Sequence, residues 1–153
     1  IRLHFAPYLN ERVATDEQQD AFETIIDFLD GVNIVIPDDL KEYLDDAAKT
    51  IDLVDVSKKA AASVAAAIQD PEQYLKDNRE MFERYKEVKA SDAYKNTPGY
   101  RLQELFAQLN RENGYNDVFI PAMRRLSSSY REYYEKLLKA NEVFLKSYRG
   151  VRF

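Results

Sequence analysis

The residues best suited to chemistry are few and widely spaced. His4 is the only histidine and there is no cysteine, which excludes thiolate nucleophiles, thiolate metal ligands and disulfides together. No second histidine stands four residues from His4 and the segment around it has no helical period, so it reads as a surface or packing residue. Ser127-Ser128-Ser129 offer three adjacent hydroxyls, but no G-x-S-x-G turn surrounds them. The apolar spacing on either side places these serines inside a helix, where back-bonding or solvent exposure is their usual fate. Glu80, Glu83 and Glu87, like Glu132 and Glu135, recur at helical spacing without the Glu-x-x-His pairs of a di-metal site. The acidic run Asp38, Asp39, Asp45, Asp46, Asp52 and Asp55 lacks the glycine and closing glutamate of a calcium loop. The four glycines stand singly, which leaves no phosphate-cradling loop. The chain is therefore expected to be non-enzymatic, with no catalytic residue, no metal and no cofactor.

Tyrosine is the feature that remains. Eleven tyrosines accompany eight phenylalanines and no tryptophan. A tyrosine in an apolar seam brings a large ring and one hydroxyl that needs a partner or water, and aromatic walls with a few polar groups typify ligand pockets and interface anchors. Tyr130, Tyr133 and Tyr134 lie together in one such seam, and Tyr85, Tyr100 and Tyr74 could join them from facing helices. Arg124, Arg125 and Arg131 stand on the same segment. The candidate binding residues are thus Tyr85, Tyr100, Tyr130, Tyr133, Tyr134, Arg124, Arg125 and Arg131.

These side chains must be positioned by helices. Thr15-Asp16-Glu17-Gln18 has the form of a capping box and opens an amphipathic run Ala21, Phe22, Ile25, Ile26, Leu29, with Gly31 placed to close it in a left-handed conformation. Val32–Ile36 looks β-like but has no partner strand, and an extended connection with its apolar side chains tucked inward is expected. A second helix follows Pro37, and a further one restarts near Ser57 through the alanine-rich stretch 60–68. Asp70-Pro71 opens a helix to about Ala90, and Thr97-Pro98 opens another ending near Gly114. Met123, Leu126, Tyr130, Tyr133, Leu137, Ala140 and Phe144 then alternate steps of three and four, predicting one uninterrupted helix over 120–149. The expected fold is all-α: a single-domain bundle of four to five helices over 1–153, with an irregular arm at 1–14 and a long C-terminal helix.

Low Gly and Pro content, 4 and 5 residues, supports helix over a turn-rich β fold. The net charge of −5 disfavours nucleic acid as a partner. Its distribution is uneven: residues 1–76 balance to −9 and residues 77–153 to +4. The longest apolar run, Ala60–Ile68, falls far short of the ~20 residues that span a bilayer. A start at Ile1 rather than Met reads as a processed or trimmed chain, compatible with secretion. The functional expectation is a protein–protein interaction or self-association module using the C-terminal helix. The alternative is a carrier or sensor domain holding an amphipathic small molecule between helices lined by Tyr and Phe.

Overall fold

The computed structural model describes residues 5–148, so His4, Arg149 and Arg152 lie outside the described residues. Among those residues the chain is all-α, with nine α-helices, a 3-10 turn at Ala6–Tyr8, a π-helical turn at Tyr115–Phe119 and no strand. None of these helices is long and apolar enough to cross a membrane.

Most helix starts have a visible chemical cause. Helix α1 (Asp16–Gly31) opens on Thr15, whose Oγ1 accepts from the Gln18 amide while the Gln18 side chain accepts from the Ala14 amide. It does not close on a left-handed Gly31: the glycine stays helical and Val32 turns the chain out into extended backbone. Residues 32–36 form no strand, as expected, but Ile34 and Val35 point to solvent rather than inward. Helix α2 (Asp38–Thr50) follows Pro37 and buries Leu40. Helix α3 (Leu53–Gln69) begins four residues before Ser57, because the Asp52 carboxylate accepts from the amides of Val54 and Asp55 and caps it there.

Asp70 caps helix α4 (Pro71–Asp77) through the Gln73 amide, with Pro71 at the first helical position. The helix expected to reach Ala90 kinks at Asn78, whose side-chain amide donates to the Tyr74 carbonyl, and resumes as α5 (Arg79–Ala90). A one-turn helix α6 (Asp92–Lys95) and helix α7 (Pro98–Glu112) follow. The segment expected as one helix over 120–149 is two, α8 (Ile120–Leu126) and α9 (Ser128–Ser147). Ser127 breaks it by taking extended backbone, and its hydroxyl accepts from the Tyr130 amide as a new N-cap. The three serines thus start a helix instead of sitting within one.

The described residues cluster into two compact units, one from residues up to 35 with 105–135, the other from 36–104 with 136 onward. In the first, α8 packs along α1, and the π-turn packs on both. Its core is Phe5, Ala21, Ile25, Phe119, Ile120, Ala122, Met123, Leu126 and Tyr130. In the second, α3 packs on α4, α4 on α5 and α5 on α6, around a smaller cluster of Leu75, Phe82 and Tyr148 joined by Tyr74, Val143 and Phe144.

The π-turn depends on Gly114, which leads into it at φ +72°, a left-handed conformation that side chains disfavour. A Cβ there would also meet Val118 Cγ2 at 3.1 Å. Gly114→Ala should therefore cost about 1–2 kcal/mol, read as a lowered urea midpoint. An unchanged midpoint would show that the turn relaxes freely.

Candidate functional site

The eight candidate residues do not form one constellation. Tyr130, Tyr133, Tyr134, Arg124, Arg125 and Arg131 belong to the first unit, while Tyr85 and Tyr100 belong to the second.

In the first unit the seam of α9 is closed by the N-terminal arm. Phe5 is buried, with its ring 5.0 Å from Phe119, edge to face, and 5.4 Å from Tyr130. Tyr8 stands 5.2 Å from Tyr130 and 5.5 Å from Tyr133. Glu11 completes the attachment. One carboxylate oxygen accepts from the Ser127 hydroxyl and from the amide and hydroxyl of Ser129; the other accepts from the amide and hydroxyl of Ser128. A carboxylate at this position also meets the positive end of the α9 dipole. Hydrogen bonds from Ser129, then Ser127, lower its pKa from 4.5 to about 2. Phe5, Tyr8 and Glu11 are spaced by three, so an arm that looks irregular carries its own period.

Tyr130, Tyr133 and Tyr134 pack on one another, with Tyr130 6.1 Å from Tyr133 and 5.9 Å from Tyr134. Burial raises the pKa of Tyr130, Tyr115, Tyr133 and Tyr8. These phenols are held neutral near pH 7. Arg124 lies half-buried with its guanidinium 5.3 Å from the Tyr134 ring and 3.8 Å from Glu135. Its Nε is buried without a hydrogen-bond partner among the described residues, so the guanidinium is held by the Tyr134 ring face and by Glu135. Arg125 and Arg131 are exposed. An open cleft of about 440 Å³ flanks the C-terminal end of α1, bounded by Asp27, Phe28, Asn113 and Val118, and no tyrosine lines it.

In the second unit Tyr85 and Tyr94 flank Lys89, and Tyr100 packs against Tyr94. Lys89 Nζ lies 5.2 Å from the Tyr85 ring centre and 4.9 Å from that of Tyr94. It donates to the Gln103 side chain, which also accepts from the Tyr94 hydroxyl. Tyr100 stands edge-on to Tyr94 at 5.7 Å. Burial pushes the Lys89 ammonium down, but hydrogen bonds to Tyr94 and Tyr85 outweigh it and the net pKa is raised. The cage fixes α5, α6 and α7 to one another through one cation. The four-residue step from Tyr85 to Lys89 was the signal available in the sequence. Amine acylation of the native protein should modify Lys89 several-fold more slowly than Lys49 and Lys59, whose side chains are 72% and 76% exposed. Equal rates by peptide mapping would show that the cage opens freely.

Helix α1 departs most from its sequence reading. Ala21, Ile25 and Phe28 face the core, but Phe22, Ile26 and Leu29 are 41%, 40% and 40% exposed. At 100° per residue these three form a second apolar stripe beside the buried one. Asp16, Asp20, Glu23, Asp27 and Asp30 then fall within about 80° of one another on the next face. The helix has six acids and no base. No ion pair reaches any of these acids from the described residues.

Among the described residues no group of three or more His, Asp or Glu side chains is placed to hold a metal ion. No protein-family model, no curated protein and no solved structure matches the chain.

Proposed function

We propose that the chain is a non-enzymatic protein-interaction module, with the outer face of α1 as its principal contact. The observation that carries this reading is the pair of apolar faces on α1, of which the core uses only one. Exposed single hydrophobics are ordinary, but three at i, i+4 and i+7 make a continuous strip of the kind that helix-in-groove partners cover. The C-terminal helix contributes less than its seam suggests, because the arm already occupies the first turns. What α9 offers a partner is Leu138 and Leu145, 42% and 44% exposed, beside Lys139 and Lys146.

The test compares partner capture by the full chain, by Ile26→Ser and by Leu138→Ser/Leu145→Ser, with light scattering to detect self-association. A stoichiometric partner, or a second copy, lost in Ile26→Ser and retained in the α9 variant supports the proposal. Capture that survives Ile26→Ser would overturn α1 as the contact. A strictly monomeric chain that captures nothing would overturn the module reading itself.

A further inference from the structure

We infer that the partner of α1 is a basic amphipathic helix, an inference that rests on the interaction reading above and narrows it to one chemistry. The apolar strip Phe22, Ile26 and Leu29 asks for an apolar ridge of similar length. From Phe22 to Leu29 the strip rises roughly 10 Å, so it matches about two turns of a partner helix. The acidic row alongside supplies the second requirement. Asp16, Asp20, Glu23, Asp27 and Asp30 stand on one side of α1, three or four residues apart, where like charges repel. No lysine or arginine of α1 interrupts them, and no ion pair from the described residues offsets them. The one side-chain contact within the row is an amide donation from Gln19 to Glu23, which adds no positive charge.

Such a face is unfavourable alone and complementary to one kind of surface, an apolar ridge flanked by lysine or arginine. A partner laid on the strip would bring its cations against the row, where opposite potentials speed association and fix orientation. The same row disfavours the alternatives. An acidic helix or an anionic lipid surface would add repulsion, and a purely apolar ridge would leave the carboxylates partly desolvated and unpaired.

The test uses the full chain and three labelled synthetic helical peptides in fluorescence anisotropy. One is a Leu/Lys amphipathic helix, the second a Leu/Glu helix with the same apolar ridge, and the third a Leu/Lys sequence scrambled to lose its ridge. The Leu/Lys helix should bind, and binding should weaken several-fold between about 50 mM and about 300 mM salt as screening shortens. The Leu/Glu and scrambled peptides should bind at least tenfold more weakly, about 1.4 kcal/mol. Ile26→Ser, and separately Asp20→Asn/Glu23→Gln/Asp27→Asn, should each lower the Leu/Lys affinity at least tenfold, with circular dichroism confirming the folded chain. Equal binding of the Leu/Glu and Leu/Lys helices, or binding indifferent to both variants, overturns the inference. Self-association lost in Ile26→Ser would make a second copy the occupant and overturn it too, while leaving the interaction reading intact. Peptide failure with partner capture still abolished by Ile26→Ser has the same consequence; failure of both removes both.

Discussion

Phe119→Ala should lower stability by about 3–5 kcal/mol, the loss expected when a large buried ring is cut back to a methyl. Phe119 is 1% exposed. Its ring is shared by three others: Phe5 at 5.0 Å edge to face, Phe28 at 5.0 Å and Tyr115 stacked at 5.5 Å. Those three come from the arm, from α1 and from the π-turn, so the cavity would open where all of them meet. Among the described residues this core holds nine buried hydrophobics, which leaves little material to collapse into the space. A domain's whole stability is about 5–15 kcal/mol, which makes the substitution close to unfolding. Urea denaturation followed by circular dichroism and by hydrogen exchange of the α1 and α8 amides measures it. Phe119→Leu, which fills most of the volume, should cost about 1–1.5 kcal/mol. A loss below about 1 kcal/mol for the alanine variant would mean that the ring cluster does not hold this unit together.

The second large effect belongs to Glu11. Its carboxylate accepts from the Ser127 hydroxyl and from the amides and hydroxyls of Ser128 and Ser129, and charge-assisted bonds of this kind contribute about 1.5–3 kcal/mol when removed. Glu11 is only half-buried, so water takes up part of the loss and Glu11→Gln should cost about 1.5 kcal/mol. An amide keeps one acceptor but turns a donor toward the amide of Ser128. The pH dependence has a definite sign. The folded carboxyl sits at about 2 against an ordinary 4.5, so the folded state favours the charged form. Its contribution is complete above about pH 4.5 and fades as pH falls toward about 2. The wild-type chain should therefore lose stability over that window more steeply than Glu11→Gln. Parallel pH profiles for the two proteins would show that the carboxylate is not an anchor.

The helical character of the chain was legible because apolar spacing and caps are local. Thr15, Asp70 with Pro71, and the unpaired stretch 32–36 all act within a turn or two of themselves, and the structure follows them. The break at Ser127 was not legible. Met123, Leu126 and Tyr130 keep helical spacing straight through it, and the group that stabilises the new start, Glu11, lies 116 residues away. Helical periodicity also cannot say how wide the buried arc is. Phe22, Ile26 and Leu29 belong to the same amphipathic pattern as Ile25, and only the placement of neighbours decides which stripe is covered. The tyrosines were correctly singled out by number, yet they separate into a seam closed by Phe5 and Tyr8 and a cage around Lys89. The seam depends on an arm distant in sequence, and the cage on how three successive helices turn onto one another, and composition encodes neither.

The attachment of Glu11 to Ser127–Ser129 also sets an order in time. The arm is made before the residues that hold it, separated from them by 116 positions. At synthesis rates of about 5–20 residues per second, it waits roughly 6–23 s for its partners to emerge. For most of that interval Phe119, Tyr130 and Tyr133, on which the arm packs, have yet to be made, and closing so long a loop carries an entropic cost. The nascent chain thus carries these aromatic anchors uncovered for that interval, and the arm finds its place only after the residues around Ser127 have emerged.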